Sequence, residues 1–317
     1  MIRFLAQRLM RTALVLVGVS MLAFILLDLA PGEYFQQMRL NPQISRDTVA
    51  ALRGEYGLDQ SLAVRYARWV RSVSRGELGY SFAYNRPVWP LLKARIANTL
   101  LLTVTALVAC WIIAIPLGTW MASRAGRWED RVSGLGSTIL LATPDVLVAL
   151  FLLALALRIG WLPTGGMHAA AEANTKDLAL HLILPVLALI AGMLPILVRH
   201  VRSAMLDVLD APFIAAARGH GIPRVRLLFG HALRAAANPL LSLFGLSVGV
   251  LLSGSLLIEV VMGWPGVGPL LLQAVLERDP HIVVAAVLFS TLFLMSGSVL
   301  ADISLYVADP RIRVGES

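Results

Sequence analysis

The residues best suited to chemistry in this chain are few and scattered. Three carboxylates fall within or at the edge of apolar runs: Asp145 directly after Pro144, then Glu259, then Asp302. A carboxylate in hydrocarbon is costly, so each must face a bundle interior, a water path or a partner. Asp145, nearest to mid-membrane and beside an expected kink at Pro144, is the leading candidate for a polar path. Glu259 and Asp302 lie near the ends of their runs, where they can reach the interface. For all three a paired structural carboxylate is the alternative. Membrane hydrolase chemistry has little support: there is no H-E-x-x-H, and His168, His181 and His281 flank the apolar runs. Ser247 and Ser253 therefore lack an obvious base. The lysines, Lys93 before Ala94 and Lys176 before Asp177, complete no G-x-x-x-x-G-K-[ST] loop, so ATP hydrolysis by this chain alone is excluded. Cys110 is the single cysteine, which excludes an intrachain disulfide and a cysteine metal cluster. No catalytic, cofactor or metal residues are expected.

One stretch departs from the rest. "APFIAAARGHGIPRVRLLFGHALR", 211–234, carries four arginines and two histidines and no acid. Asp210 is expected to cap a helix whose early turn tolerates Pro212; Phe213 to Arg218 continue it, and Gly219 and Gly221 end it. Pro223 then starts a second helix, in which Val225, Leu228, Phe229, Ala232 and Ala236 form an apolar stripe. Arg224, Arg226 and Arg234 remain for phosphate headgroups or an acidic partner. Ala215, Ala216 and Ala217 leave a slim surface able to enter a protein groove. By composition alone this is an interfacial amphipathic pair.

The elements that must hold these residues are membrane spans. A chain of 317 residues with 58% hydrophobic and only 15% charged residues, and a mean hydropathy of +0.76, is outside the soluble range. The net charge of +8 does not point to nucleic acid, because the basic residues are dispersed among apolar spans. Six runs suffice to cross a bilayer: roughly 10–29, 97–122, 134–157, 179–198, 239–262 and 282–307. The fold expected is all-α, integral to the membrane, with six transmembrane helices and both termini on one side. The first run is read as a retained anchor, since its apolar core is long for a signal peptide and no clean cleavage site follows. Arginines concentrate in the N-terminus, in 123–133, in 199–238 and in the tail, so that face is cytoplasmic. Segment 31–96 then lies outside despite its Arg and Lys, as long loops do. It reads as a small helical cap. Asp47 starts a helix with Val49, Leu52 and Tyr56 that Gly57 stops, and a second helix places Leu62, Tyr66, Trp69, Val70 and Val73 on one face. The domains are thus an N-terminal helix 1–30, the external segment 31–96, a transmembrane domain 97–308 containing the loop 199–238, and a tail 309–317.

Pro116, Pro144, Pro185 and Pro195 predict kinks. Gly245, Gly249 and Ser253 recur at four-residue spacing and form a small-residue face, suited either to packing within the chain or to a subunit interface.

With these elements in place, the chain resembles the inner-membrane permeases of ATP-binding-cassette importers, in particular their dipeptide, oligopeptide and nickel branch. The E-A-A-x-x-x-G pattern of their cytoplasmic loop is met by Ala215, Ala216, Ala217 and Gly221, with Phe213, Ile214 and Arg218 matching the peptide branch and "HALRAAANP" following at 231–239. "GELGYSF" (76–82), "NTLLL" (98–102), "IPLG" (115–118), "WLPTGG" (161–166), "IEVVMGWPGVG" (258–268), "ERDP" (277–280) and "DPRIR" (309–313) extend the likeness over nearly the whole length. Ala215 replaces the general family's Glu, His220 stands where Lys is usual and Pro212 where an acid is common. These departures leave the fold intact and bear on the loop's polar contacts.

The resemblance implies that Phe213, Ala215, Ala216, Ala217, Arg218, His220 and Gly221 form a coupling helix docked on a cytoplasmic ATPase. One or two such ATPases would bind ATP and Mg. It further implies a homologous second permease, an extracytoplasmic solute-binding protein, surrounding membrane lipid, and a bacterial inner-membrane location. Peptides are the implied solute, with nickel or metallophore and glutathione as alternatives. Asp145, Pro144 and Glu259 are the candidates for the translocation pathway. A stand-alone secondary transporter or channel is the competing class, disfavoured because no inverted repeat is visible.

Overall fold

Apolar runs of this length leave the backbone one option in lipid, since each N–H and C=O must pair within its own segment. The structure, a computed structural model, describes residues 2–29, 59–168 and 174–308. The helix expected from Asp47 and the tail after Ala308 lie outside the described residues. In chain order the elements are α1 (Ile2–Leu29), α2 (Leu62–Val73), β1 (Tyr80–Ser81), β2 (Arg86–Pro87), α3 (Val88–Ser123), α4 (Trp128–Ala142), α5 (Asp145–Ile159) and α6 (Thr175–Leu209). There follow α7 (Pro212–Gly219), a π-helical segment Arg226–Ala232 continued by Leu233–Ala235, α8 (Ala237–Val261), α9 (Val267–Leu276) and α10 (Pro280–Ala308). Helices α1, α3, α6, α8 and α10 are each long and apolar enough to cross a membrane.

The sixth span differs from the continuous, kinked helix expected over 134–157. Helices α4 and α5 meet at a bend of 100°. Pro144 has no N–H to donate and forces Thr143 into extended backbone, φ −94° and ψ 123°. The chain then restarts, with Pro144 flanking and Asp145 in the first turn of α5, where a carboxylate suits the positive end of the helix dipole. By contrast, Pro116 lies inside the unbroken α3 and Pro185 and Pro195 inside the unbroken α6.

The chain divides into two compact units. The first comprises Met1–Asn98 and Pro265–Leu292. Trp69 and Tyr66 of α2 pack on Phe24 of α1, with ring centroids 5.2 and 5.4 Å away. Tyr66 also shares a 3.0 Å hydrogen bond with Ser20, and Arg65 donates to Asp28 at 2.9 Å. The predicted apolar face of α2 thus seats on α1, except that Val70 is exposed. A two-stranded hairpin pairs Tyr80 with Pro87 and Ser81 with Arg86. It is fastened by the fully buried Asp279, which accepts from Ser81 Oγ at 2.6 Å and the Ala83 amide at 3.2 Å. Asp279 also accepts from the Ile282 amide at the start of α10. "GELGYSF" and "ERDP" are therefore two halves of one contact. Gly79, at φ +102°, lies so close to His281 that a Cβ there would come within 2.4 Å of the imidazole. On the rim, Tyr84 donates to Gln273 at 2.6 Å; burial, and then the Glu277 charge, raise its phenol above the ordinary value.

The second unit comprises Thr99–Trp264 and Phe293–Ser317. Its core gathers around α6, which buries Leu184, Leu189, Met193 and Leu197 among residues of α3, α5 and α8. The small-residue face of α8 proves to be packing within the chain. A Cβ on Gly245 would lie 2.2 Å from the Ala301 Cβ, and one on Gly249 2.2 Å from Leu294 Cδ1. Gly297 of α10 reciprocates against Val248. Ser253 is exposed, off this face. Ser247 is buried, accepting from the Trp111 indole at 3.0 Å and donating to the Phe244 carbonyl at 2.6 Å.

Charge-assisted hydrogen bonds contribute about 1.5–3 kcal/mol each. Asp279→Ala is therefore expected to lower the melting temperature of the purified chain clearly more than Ser81→Ala, which removes one of the three bonds. Equal melting of the wild type and the Asp279→Ala variant would refute this role.

Candidate functional site

The residues expected to dock a partner lie on α7, a helix of eight residues. It begins one residue later than the sequence suggests. Asp210 closes α6 in right-handed helical backbone, and Ala211 is the N-cap, extended at φ −72° and ψ 143° without a side-chain cap bond. The cause is Pro212 at the first helical position, which pushes the preceding residue out of the helical region. At the other end Gly219 remains inside the helix, His220 is the C-cap, and the reversal falls on Gly221 at φ +75°. That is the left-handed conformation in which a glycine ends a helix at least cost.

Ile214 divides the two sides of α7. It has no exposed surface and enters an apolar cluster with Val201, Ala204 and Met205 of α6, Ala122 of α3, and Leu227, Leu228 and Ala232 of the π-helical segment. Phe213, 49% exposed, faces outward, as do Pro212, Ala215, Ala216, Arg218 and His220, with Ala217 half-buried. The His220 ring binds back to its own helix, its Nδ1 lying 2.8 Å from the Ala216 carbonyl. The exposed face is thus apolar and small at its centre with a cation at its end.

The second expected helix of this loop is π-helical where an α-helix is predicted. The i→i+5 pitch brings Leu227 and Ala232 to the same inward side together with Leu228. Val225 and Phe229, expected to be inward, are exposed. Arg224 donates at 2.8 Å to the carbonyl of Ser123, the last residue of α3, which satisfies one orphan acceptor of that helix end.

A charged contact that the sequence does not advertise lies just before the loop. Arg202 of α6 grips Asp130 of α4 in a bidentate pair, Nε to Oδ1 at 2.6 Å and Nη2 to Oδ2 at 2.7 Å. Asp130 Oδ2 also accepts from the Gly126 amide at 3.0 Å. Asp130 is buried, so the fork-to-fork geometry compensates its desolvation. Periodicity treats these residues as ordinary loop and helix-end charges, and only their spacing of 72 in sequence, closed in space, marks them as a pair.

Among the pathway candidates, Asp145 and Pro144 are exposed at the break between α4 and α5. Asp145 lies over Gly192 of α6, where a Cβ would approach its Oδ1 to 2.5 Å. Gly192, flanked in sequence by Pro185 and Pro195, escapes motif reading. Glu259 is fully buried on α8, and its backbone carbonyl accepts from Trp264 at 2.9 Å. Asp302 is half-buried near the end of α10.

Comparison with known proteins places this geometry. The profile of the binding-protein-dependent transport system inner membrane component matches residues 114–314, and that of the N-terminal part of such membrane components matches 1–103. The chain is 34% identical over 316 residues to the oligopeptide transport system permease protein AppB of Bacillus subtilis, covering 99% of this chain and 100% of that one. It is 33% identical to the oligopeptide transport system permease protein OppB of Mycobacterium bovis, with 99% and 100% covered. It is 30% identical to the glutathione transport system permease protein GsiC of Salmonella paratyphi A, with 99% of each covered. In fold it is similar to a chain of the MetNI methionine ABC transporter solved in inward-facing form. That match has a TM-score of 0.58 at 16% identity and covers 69% of this chain and 96% of that one. With two profiles in tandem along its length, the chain belongs to the inner membrane component family of binding-protein-dependent transport systems.

Proposed function

We propose that the chain is one of two homologous permeases in an ATP-driven importer of di- and oligopeptides, and that it catalyses no covalent chemistry itself. The observation carrying this reading is α7: an exposed, slim, apolar face rigidly anchored by a buried Ile214. Such a helix can enter the groove of a partner and transmit its displacement. The partners are cytoplasmic ATPases, which hold ATP and Mg, and a solute-binding protein on the opposite side. The termini and α7 then lie on the cytoplasmic face, in accord with the arginine distribution. Peptides are the solute by likeness to the oligopeptide permeases, and glutathione, itself a short peptide, fits the same chemistry.

In this mechanism ATP-driven closure of the ATPases moves Phe213, Ala215, Ala216, Ala217, Arg218, His220 and Gly221 as one body. Because Ile214 is locked among Val201, Ala204 and Met205, the motion passes into α6. Arg202 carries it to α4 through Asp130. The bend at Thr143–Pro144 lets α5 respond separately, with Asp145 riding over Gly192. Packed interfaces of this kind switch between discrete arrangements rather than deforming continuously. Asp145, Pro144 and Glu259 would line or border the path opened by that switch.

Three outcomes test the reading. Ile214→Ala creates a cavity costing about 2–5 kcal/mol; in reconstituted vesicles it is expected to lower peptide uptake far more than ATP hydrolysis by the assembled importer. Proportional loss of both activities, or of neither, would overturn the anchoring role. Around Gly221 the space is open, so Gly221→Val adds only backbone strain of about 1–2 kcal/mol; uptake should fall while assembly with the ATPase persists, and undiminished uptake would sink the assignment. Breaking the Asp130–Arg202 pair, part-exposed on the Arg202 side, should cost about 2 kcal/mol. Asp130→Arg combined with Arg202→Asp should recover part of the uptake that each single change loses, whereas purely additive losses would show that the pair transmits nothing.

A further inference from the structure

Within the second unit, a cluster of titratable side chains that the mechanism above does not use lies at the end of α6 opposite α7. Asp177 and His181 stand one turn apart at the start of α6, and His168 belongs to the loop after α5. His181 is buried, with Nδ1 2.8 Å from the backbone carbonyl of Asp177. A carbonyl only accepts, so this nitrogen carries a hydrogen. The same Nδ1 lies 3.3 Å from Asp177 Oδ1, and the other carboxylate oxygen, Oδ2, lies 3.6 Å from His168 Nδ1. That nitrogen is shielded from solvent and has no hydrogen-bond partner. The separation is too long for a hydrogen bond, and a ring that offers only its lone pair there sets two acceptors against each other. A proton on His168 replaces that opposition with a charge-assisted bond.

The loop that carries His168 connects more than its own two helices. Leu162 and Met167 pack against the apolar cluster that contains Leu184 of α6 together with Met262 and Trp264, just beyond α8. Gly263, at φ +62°, comes so close that a Cβ there would lie 3.5 Å from the Gly166 nitrogen, and a Cβ on Gly165 would lie 3.4 Å from the Met262 carbonyl. The loop therefore rests on the turn after α8 through close packing and meets α6 through the approach of His168 to Asp177. No other charged or titratable residue occurs in Trp161–His168 or in Met262–Trp264. On the neighbouring helices Arg158 and Lys176 are exposed and Glu259 is fully buried.

We propose that His168 is a proton-operated latch, which on gaining a proton closes on Asp177 and straps the loop 161–168 to the first turn of α6. Histidine is the side chain whose charge changes between about pH 5 and 8, which suits it to this task. The ion pair exists only in the protonated form, so the strap is tight in acid and is released as the pH rises through the titration of His168. Because the loop also seats on the turn after α8, closing the latch ties the start of α6 to the end of α8. The device stands on contacts within the second unit and on neither the solute nor the docking of α7, so its failure and theirs are distinguishable.

The test uses the full-length chain in phosphatidylcholine nanodiscs, with a nitroxide on Thr164→Cys, an exposed loop position, and the buried native thiol removed by Cys110→Ala. Electron paramagnetic resonance reads the ratio of immobile to mobile label. A part-exposed ion pair should raise that ratio by about fivefold between about pH 7.5 and about pH 5.5. His168→Gln and Asp177→Asn should each give a ratio that does not change with pH, and His168→Lys, charged throughout, should hold the label immobile at both values. A ratio independent of pH with His168 in place overturns the proposal. So does an acid response that persists in His168→Gln, which would assign it to His181. Should Asp177→Asn fail to fold, the two loop variants at position 168 decide.

Discussion

The seat of Ile214 is the contact on which the rest of this permease depends. A helix of eight residues cannot persist alone in water, because helix nucleation is unfavourable and its few backbone bonds do not repay it. What holds α7 is one side chain removed entirely from solvent, in a cluster drawn from α3, α6 and the π-helical segment. The same burial fixes which face is left outside. Because Ile214 points in, Phe213, Ala215 and Ala216 must point out.

Helix α6 links this seat to the remainder of the second unit. Along its length it offers a glycine at 192 to Asp145, a valine at 201 to Gly118, and an arginine at 202 to Asp130. At Gly118 a Cβ would come within 2.7 Å of the Val201 side chain, so the glycine of "IPLG" is required by close approach rather than by a turn. These contacts join α3, α4 and α5 to one continuous helix that Pro185 and Pro195 do not break. Tight interiors transmit strain because they have no slack to absorb it. From the seat of Ile214 to the bend at Pro144 the contacts therefore run through packed helix, with no loop between them.

The first unit is organised on a different principle. Its hairpin has only two residues per strand, far below what strand pairing alone sustains. Buried charge takes over: Asp279 accepts from both the hairpin and the start of α10, and aromatic contacts among Phe24, Tyr66 and Trp69 fasten α2 to α1.

By itself the sequence determined five of the spans, the second helix of the segment before α3, the place of the short helix α7 and its glycine stop. Hydropathy, capping residues and proline are local signals, and in lipid the backbone has few alternatives. It also marked Pro144 and Asp145, Gly245 and Gly249 as special. Only the tertiary structure decided that Pro144 breaks a span where Pro116, Pro185 and Pro195 do not, since that outcome depends on what neighbours replace the lost hydrogen bond. Only it assigned Gly245 and Gly249 to Ala301 and Leu294, joined Asp130 to Arg202 and "GELGYSF" to "ERDP", and turned Phe229 outward within a π-helical segment. Each of these is a contact between residues distant in sequence or a change of helical period. Neither leaves a trace in a pattern read one turn at a time.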